Sequence, residues 1–491
     1  MEFKEIISLL KEKGLLINYD ESNLVIKDLT YNSKEVTDNS LFICKGKAFK
    51  KEYLEEAINK GATCYVSEVD YEVGIPKIIV KDILKAMASL SHKFYSLDTP
   101  LTIIGVTGTK GKTTTVNYIK DMLSEYLEKG SAYMSTIDYY TGKKRGESHN
   151  TTPESLDIAR AINDAKQEDL KYLTLEISSQ AHKLDRIYDM EFDYGAWLNI
   201  GNDHISPTEH SDYDDYFNCK LEFLKKCKKV IIFKHTDRYE EIIKELTGKE
   251  IITFGLTNGC DYYVESINRE SNITNFTVCF NGVKEEYQIS LAGSFNTLNA
   301  LVAIILGKEL NIPRDVIRMA LLKTKVKGRM EVYNFSKCPV IVDYAHNKIS
   351  AEALYKSIAI EYPGKKLKVV VGSAGGRGTI RLKELSIATG EYADFIYLTA
   401  EDPRMETVKD LCDQMITFIN KYDKPYIVIE DRETAIRAAI KEATSDDVIA
   451  ILGKGDEEYM VYGTTYNYYI GDSNLVVKLY EEEKEGVTIN E

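Results

Sequence analysis

A glycine-rich segment near residue 110 carries the residue types that bind phosphate groups. It reads Gly108-x-x-Gly111-Lys112-Thr113, so two glycines precede a lysine and a hydroxyl group. In a phosphate loop the backbone N–H groups surround the anion, the lysine reaches the β- and γ-phosphates, and the hydroxyl holds Mg²⁺. The match to the standard P-loop is partial, because Val106 stands where that motif has its first glycine. The alternative interpretation is a glycine-rich turn that binds nothing.

Two further residues have side chains that could hold the Mg²⁺ of a bound nucleotide. Glu176 comes at the end of one apolar run, and His204 follows another. Each residue taken alone is explained as an ordinary polar residue at the end of a strand. Downstream of a phosphate loop, however, a nucleoside triphosphate requires a divalent cation with oxygen or nitrogen ligands. We therefore predict that both residues are Mg²⁺ ligands.

The elements that must position these side chains alternate between strands and helices. A β-branched run at residues 102–104 leads into the glycine-rich turn, and apolar residues at helical spacing follow it. Residues 172–177 and 195–200 are predicted strands. Residues just past the carboxyl ends of strands form the ligand sites of open α/β sheets. The pattern therefore predicts a mostly parallel sheet wrapped by helices, with the candidate residues at one edge.

Two interruptions divide the chain into three α/β units. Pro100 breaks any helix before the phosphate-loop strand, and residues 323–328 separate the central pattern from a second series of strands and helices. We predict a small N-terminal α/β domain at residues 1–98, a central parallel-sheet domain at 99–325 and a C-terminal Rossmann-like domain at 326–491.

Composition limits the classes of partner. The 491 residues carry a formal net charge of −14 without a long basic block, which argues against nucleic acid or an anionic membrane as a partner. The charged N-terminus does not resemble a signal peptide, and no apolar run approaches the length of a membrane span. The eight cysteines are scattered without a CxxC pair, which indicates reduced thiols in a cytoplasmic protein.

A longer series of motifs extends along nearly the whole chain. The motifs are residues 108–114 (GTKGKTT), 150–154 (NTTPE), 176–179 (EISS), 199–204 (NIGNDH), 216–220 (YFNCK), 295–299 (FNTLN), 328–331 (GRME), 342–346 (VDYAH), 402–404 (DPR) and 453–457 (GKGDE). Motifs in this order and number are highly specific. Together they resemble the Mur ligase family, and within it the MurE type, the UDP-N-acetylmuramoyl-tripeptide synthetases.

The resemblance implies an ADP-forming amide ligase with ATP and Mg²⁺ as cofactors. The N-terminal domain would bind UDP, the central domain would be the ATPase and the C-terminal domain would bind the amino acid. The carboxylate of UDP-MurNAc-L-Ala-D-Glu would attack ATP, and the resulting acyl phosphate would react with a diamino acid during peptidoglycan precursor synthesis. The implied partners are this UDP-MurNAc-dipeptide and a free amino acid, and we expect a cytoplasmic monomer.

The resemblance also assigns roles to individual residues. The implied ATP-binding residues are Gly108, Thr109, Lys110, Gly111, Lys112, Thr113, Thr114, Asn296, Asn299, Arg329 and Asp343. The implied metal ligands are Thr113, Glu176, His204 and a carbamylated Lys220, and the catalytic set comprises Lys112, Glu176, His204, Lys220 and Asp343. The UDP-MurNAc-peptide would contact Ser33, Thr151, Thr152, Ser178 and Arg186, and the amino acid would contact Arg377, Glu401, Asp402, Arg404 and Glu457.

Two of these residues would be interpreted differently without the resemblance. Lys220 would be an exposed lysine on a helix, because lysine side chains are mostly exposed. Ser33 would belong to a polar loop that forms a turn and nothing more.

The identity of the amino acid depends on Glu401-Asp402-Pro403-Arg404. Arg404 is suited to bidentate pairing with the distal carboxylate of meso-diaminopimelate, a group that lysine lacks. We therefore expect meso-diaminopimelate first and L-lysine next. Glu401 and Asp402, however, add negative charge that would suit the amine of lysine or ornithine.

Several residues depart from the family pattern, which leaves the acceptor open. Gln180, Lys34 and Asp456 stand where the family usually has His, Arg and His. One alternative is a MurE-like paralogue or a folylpolyglutamate-synthase-type ligase with another acceptor. A second is a nucleotide-binding subunit that does not ligate. Stimulation of ATPase activity by a UDP-MurNAc-peptide would distinguish these from the main hypothesis.

Overall fold

Three β-sheets with intervening helices follow one another along the chain, which confirms the predicted α/β fold class. The computed structural model describes residues 1–46, 49–95, 101–148, 150–201, 205, 209–270, 273–376 and 379–485. The predicted boundary at residues 98 and 99 lies outside these ranges. The second predicted boundary falls between a helix that ends at Lys323 and a strand that begins at Glu331.

The first sheet has five strands in the order β1-β5-β4-β3-β2, of which only β1 runs antiparallel to its neighbour. Its elements are α1 (Phe3–Glu12), β1 (Leu16–Tyr19), β2 (Asp28–Thr30), β3 (Ser40–Ile43), α2 (Lys51–Asn59), β4 (Ala62–Ser67), β5 (Lys77–Val80) and α3 (Ile83–Phe94). The polar loop predicted around Ser33 contains a 3-10 turn at Ser33–Glu35, in which the Asn32 side chain accepts a hydrogen bond from the backbone N–H of Lys34. The structure therefore has a turn where the polar sequence predicts one.

The second sheet has eleven strands in the order β16-β15-β14-β13-β12-β11-β6-β10-β7-β8-β9. Its strands are β6 (Thr102–Thr107), β7 (Ala132–Met134), β8 (Asp138–Tyr140), β9 (Arg145–Glu147), β10 (Tyr172–Ile177), β11 (Phe192–Trp197), β12 (Cys227–Phe233), β13 (Glu250–Gly255), β14 (Tyr262–Glu270), β15 (Ile273–Phe280) and β16 (Val283–Ile289). Its helices are α4 (Lys112–Tyr126), α5 (Ser155–Gln167), α6 (Ser179–Lys183), α7 (Tyr213–Lys225), α8 (Tyr239–Glu245), α9 (Phe295–Glu309) and α10 (Arg314–Lys323).

The centre of this sheet is parallel, and its margins are antiparallel. β6 lies between β10 and β11 and is parallel to both. Antiparallel strands extend the sheet at each margin, β14 to β16 on one side and β7 to β9 on the other. Because β6 and β10 are central and parallel, the phosphate loop and Glu176 emerge side by side at the carboxyl edge.

The third sheet has six strands in the order β17-β18-β22-β19-β20-β21, with only β17 antiparallel. Its strands are β17 (Glu331–Asn334), β18 (Pro339–Asp343), β19 (Lys366–Val371), β20 (Phe395–Leu398), β21 (Tyr426–Val428) and β22 (Asp447–Leu452), and a separate hairpin comprises β23 (Tyr459–Tyr462) and β24 (Thr465–Tyr468). Its helices are α11 (Lys348–Glu361), α12 (Thr379–Tyr392), α13 (Val408–Ile419), α14 (Arg432–Lys441) and α15 (Asp472–Lys484), with a 3-10 turn at Asn420–Tyr422.

The side chains inside these layers are apolar, and all eight cysteines are buried among them. α9 is apolar on nearly all its faces, which explains its position at the centre of the second unit. Within the described part of the chain, every helix is too short or too polar to cross a membrane.

Candidate active site

The phosphate loop has the predicted geometry of strand, turn and helix. β6 ends at Thr107, and α4 begins at Lys112 directly after Gly111. Gly111 has φ of 87°, and a Cβ atom there would lie 2.4 Å from Oδ1 of Asn299. Both the left-handed backbone and this close approach require glycine. The turn therefore points the N-terminus of α4 at an open space, as anion binding demands.

Two carbonyl oxygens of the loop hold its lysine. Nζ of Lys112 donates to the carbonyl oxygens of Gly108 at 2.9 Å and Thr109 at 3.2 Å. On the other side of the loop, Asn199 accepts from the backbone N–H of Lys110 at 2.9 Å and donates to its carbonyl oxygen at 3.0 Å. The loop conformation is thus fixed by contacts with residues about 90 positions away.

Glu176 lies at the carboxyl end of β10 and is completely buried. Its carboxylate accepts hydrogen bonds from the Thr113 hydroxyl at 3.2 Å and from the backbone N–H and hydroxyl of Thr136 at 2.8 and 2.9 Å. Burial raises its pKa, while the charge of Lys112 and these hydrogen bonds oppose the rise. A buried carboxylate beside two hydroxyl groups is a set of hard oxygen donors, which fits Mg²⁺.

Lys220 is buried, contrary to the exposed position that its sequence context alone indicates. Only 2% of its surface is exposed, although it lies on the amphipathic helix α7. Nζ donates to the carbonyl oxygen of Gly108 at 2.9 Å and lies 4.9 Å from the ring centroid of Tyr216. The helix therefore places the lysine directly behind the phosphate loop.

The segment between the second and third sheets carries Arg329, and the end of β18 in the third sheet carries Asp343 to the same region. Asp343 ends β18, and its carboxylate accepts from the backbone N–H groups of Met330 at 2.8 Å and Ala345 at 2.7 Å. Burial raises its pKa, and the neighbouring charge of Arg329 opposes this shift. A cavity of about 310 Å³ separates Arg329 and Asp343 from the phosphate loop.

The walls of this smaller cavity combine apolar rings with amide groups. Its lining residues include Lys110, Gly111, Thr114, Phe233, Phe254, Phe295, Asn296, Asn299, Arg329 and Asp343. Asn296 donates to the Ala292 carbonyl at 2.6 Å and accepts from Asn299 at 3.0 Å, so the two asparagines support each other and the loop. A mostly apolar cavity beside a phosphate loop suits a nucleotide base.

A second cavity of about 480 Å³ joins most of the predicted site residues. Its lining includes Lys112, Thr113, Thr151, Glu176, Ser178, Arg186, Lys220, Arg329, Glu401, Asp402, Arg404 and Glu457. Residues from the second and third sheets thus face one space. The lining does not include Ser33, whose hydroxyl donates to Glu56 at 2.6 Å within the N-terminal unit.

Three of the residues predicted to contact the UDP-peptide, Thr152, Ser178 and Arg186, form one hydrogen-bonded group. The Thr152 hydroxyl donates to the Glu176 carbonyl at 2.8 Å and accepts from the Ser178 N–H at 2.9 Å. Arg186 donates to the Thr152 carbonyl at 2.8 Å and to Glu154 at 2.9 Å. Thr152 is fully buried and therefore supports the wall of the cavity from behind.

The far end of the cavity is a cluster of alternating charges. Arg381 pairs with Glu401 at 3.2 Å. Lys454, which is fully buried, pairs with Asp402 at 3.0 Å and Glu457 at 2.5 Å. Arg404 also lines this end of the cavity, so three cations lie beside three carboxylates.

Glu401 and Arg404 are the two members of this end with unsatisfied atoms. Oε2 of Glu401 is buried without a hydrogen-bond partner among the described residues, and burial raises the pKa of Glu401 to about 7. Nε of Arg404 is likewise buried without a partner in the described chain. Unpaired polar groups that face a cavity are candidates for ligand contacts.

Two predicted site residues lie outside the described part of the chain, and the structure places other residues in contact with the site. His204 and Arg377 lie outside the described residues. Sequence reasoning missed the direct contacts of Thr136, Tyr344, Arg381 and Lys454 with the predicted site. The motif segments at 342–346 and 453–457 did include Tyr344 and Lys454, but no spacing pattern indicated Thr136.

Comparison with known families gives two matches along the chain. Residues 106–307 match the Mur ligase middle domain, and residues 328–455 match the Mur ligase glutamate ligase domain. The two matched ranges contain the phosphate loop, Glu176, Lys220, Asp343 and Arg404.

Individual proteins are similar over nearly their whole length. The chain is 34% identical to a UDP-N-acetylmuramoyl-L-alanyl-D-glutamate--L-lysine ligase of Streptococcus pneumoniae, over 96% of this chain and 98% of the relative. It is 37% identical to an enzyme of the same name from Enterococcus faecalis, over 91% of this chain and 90% of the relative. A solved structure of a UDP-N-acetylmuramoyl-L-alanyl-D-glutamate--2,6-diaminopimelate ligase has a TM-score of 0.65 at 22% identity, over 99% of each chain.

Proposed function

The chain belongs to the Mur ligase family of ATP-dependent ligases, and we propose on this basis that it adds a diamino acid to UDP-MurNAc-L-Ala-D-Glu. The observation that carries the proposal is the 480 Å³ cavity, since phosphate-loop residues, the group around Ser178 and the charged cluster around Glu401 line one space. A ligase requires this arrangement, because three substrates must meet in one cavity.

Charge neutralisation is the main chemical task of such a site. The peptide carboxylate and the γ-phosphate repel each other, so cations must lie around both. Lys112 would move from the Gly108 and Thr109 carbonyls to the phosphates, and Arg329 would approach them from the C-terminal side. The carboxylate would then attack the γ-phosphorus, which gives an acyl phosphate and ADP. The amine of the incoming amino acid would displace phosphate from this acyl group.

The proposed Mg²⁺ site consists of Thr113 and Glu176, together with His204 and a carbamylated Lys220. Bound there, the cation would neutralise phosphate charge. The support is the hydroxyl–carboxylate contact at 3.2 Å and the burial of Lys220 beside the Gly108 carbonyl. A carbamate would convert the buried cation into an anion with oxygen donors, which suits a hard metal ion.

The geometry favours meso-diaminopimelate as the amino acid. Its distal centre has both an ammonium and a carboxylate. Arg404 offers an unpaired guanidinium nitrogen to the carboxylate, and the carboxylates of Glu401, Asp402 and Glu457, which line the same end, would pair with the ammonium. L-lysine is the second candidate, because relatives at 34% and 37% identity bear the name of L-lysine ligases.

The test is a phosphate-release assay on the full-length protein. ATP, Mg²⁺ and UDP-MurNAc-L-Ala-D-Glu are supplied with meso-diaminopimelate, L-lysine or L-ornithine, and the product mass is measured. We expect release that requires the dipeptide and is fastest with meso-diaminopimelate. Lys112→Met should abolish release, whereas Lys120→Met on the same helix should retain it.

The outcomes separate the ligase class from the amino acid. A clear preference for L-lysine would refute the role given to Arg404 and leave the ligase standing. Release that no UDP-MurNAc-peptide stimulates would instead support another acceptor or a subunit that does not ligate. We also propose that the three domains comprise residues 1–98, 99–325 and 326–491.

A further inference from the structure

Tyr344 lies between the two ends of the active-site cavity. It follows Asp343 at the end of β18, and its backbone N–H donates to the Gly328 carbonyl at 2.9 Å. The Arg329 guanidinium lies 4.5 Å from the centroid of its ring. An arginine at this distance over a tyrosine ring is attracted by the π electrons. Tyr344 therefore holds the segment that carries the proposed nucleotide-binding arginine.

The hydroxyl group of the same residue reaches the amino-acid end. It donates to Oε1 of Glu457 at 2.7 Å, and the Tyr459 hydroxyl donates to the same oxygen at 3.1 Å. Oε2 of Glu457 accepts from Lys454 at 2.5 Å. The carboxylate thus has fixed partners on both oxygens, and one of these partners also contacts Arg329.

We propose that Tyr344 is a positioning residue that couples nucleotide binding to amino-acid binding by linking Arg329 to Glu457. The inference rests on the proposed function, because it takes Arg329 as a residue for ATP and Glu457 as a residue for the amino acid. One side chain makes both contacts, the first with its ring and the second with its hydroxyl. Displacement of Arg329 therefore displaces the hydroxyl that holds Glu457, and the converse also holds.

Substitutions can separate the two contacts. Tyr344→Phe keeps the ring beneath Arg329 and removes the hydroxyl from Glu457. Tyr344→Leu removes both. Tyr459→Phe is the matched control, since it also removes one hydroxyl from Glu457 Oε1 and leaves the ring of Tyr344 beneath Arg329.

Calorimetry on the full-length protein measures the coupling directly. The dissociation constant of a non-hydrolysable ATP analogue is measured with and without the amino acid that is most active in the phosphate-release assay. In the wild type we expect the amino acid to tighten analogue binding at least about fivefold, the lower limit of ordinary coupling. Tyr344→Phe should bring this ratio close to one and leave analogue binding alone unchanged, whereas Tyr459→Phe should keep the wild-type ratio.

The Michaelis constants for ATP and for the amino acid should distinguish Tyr344→Phe from Tyr344→Leu. Tyr344→Phe should raise KM for the amino acid about tenfold, as expected for one hydrogen bond to a charged acceptor, with KM for ATP within twofold of wild type. Tyr344→Leu should raise both constants. A wild-type coupling ratio in Tyr344→Phe, or an uncoupled wild type, would refute the inference in an active ligase. A wild type without dipeptide-dependent phosphate release would instead refute the proposed function.

Discussion

Replacement of Arg432 by methionine should destabilise the C-terminal domain more than the same replacement of an arginine at the surface of that domain. Arg432 is 2% exposed and donates to Asp472 at 2.8 and 2.7 Å. It also donates to the carbonyl oxygens of Ala400 at 2.9 Å and Leu452 at 2.6 Å. Leu452 is the last residue of β22, and Ala400 lies two residues past the end of β20, so the two carbonyls come directly before Gly453 and Glu401. One side chain therefore supports two strand ends beside the charged cluster.

The size of the effect follows from the groups that would lose a partner. Removal of one member of a buried ion pair costs about 3–5 kcal/mol, and the lower figure applies because Asp472 keeps the Tyr469 hydroxyl at 2.7 Å. Each carbonyl that loses its donor adds about 1 kcal/mol. We therefore expect about 5 kcal/mol for Arg432→Met. Combination with Asp472→Asn removes the uncompensated charge and should leave about 2 kcal/mol.

Hydrogen exchange measured by mass spectrometry suits this prediction, because a chain of several domains does not unfold in one step. Protection of peptides from β20 and β22 should fall by roughly a thousandfold or more, since about 1.4 kcal/mol corresponds to a factor of ten. Peptides from β6 and β10 should keep their protection. The control is Arg437→Met, at a partly exposed position on the same helix. The reasoning is refuted if Arg432→Met loses no more protection than this control, or if the double variant is no better protected than the single one.

Three further predictions concern the active site. Arg404→Lys should lower kcat/KM for meso-diaminopimelate about 10- to 100-fold, because an ammonium cannot pair bidentately with a carboxylate. The kcat/KM for L-lysine should stay nearly unchanged. Equal losses for both amino acids would argue against contact with a distal carboxylate. Lys220→Ala should lose activity that added formate or acetate partly restores, and full activity without these anions would exclude a carbamate role. Glu401 should make the folded protein less stable as pH rises, because its pKa of about 7 lies above the ordinary value of 4.5, so the folded state binds the proton more tightly between these two pH values. We therefore compare the free energy of unfolding of the wild type with that of Glu401→Gln, using denaturant titrations of the C-terminal transition. The difference should fall by about 2–3 kcal/mol between pH 5 and pH 8. A constant difference would show that Glu401 is already ionised at pH 5.

Local signals in the sequence were sufficient for the phosphate loop and for several strands. The strand predicted at residues 172–177 coincides with β10, because a mostly apolar segment, YLTLEI, is bounded by the polar residues Lys171 and Ser178. The strand predicted at 195–200 begins and ends three residues earlier, at Phe192–Trp197. Its register is set by pairing with β6 and β12, and such pairing depends on residues far away in the chain.

The sequence by itself determined the α/β class, the phosphate loop and, through the order of its motifs, the family. These features depend on glycine conformation, periodicity and residue identity, all of which are local. Tertiary structure alone decided that Lys220 is buried and that Tyr344 touches both Arg329 and Glu457. It also decided which charges in the cluster around Lys454 neutralise one another. The contacts that bury Lys220 and hold the Tyr344 hydroxyl join residues more than 100 positions apart, and no short-range pattern encodes them.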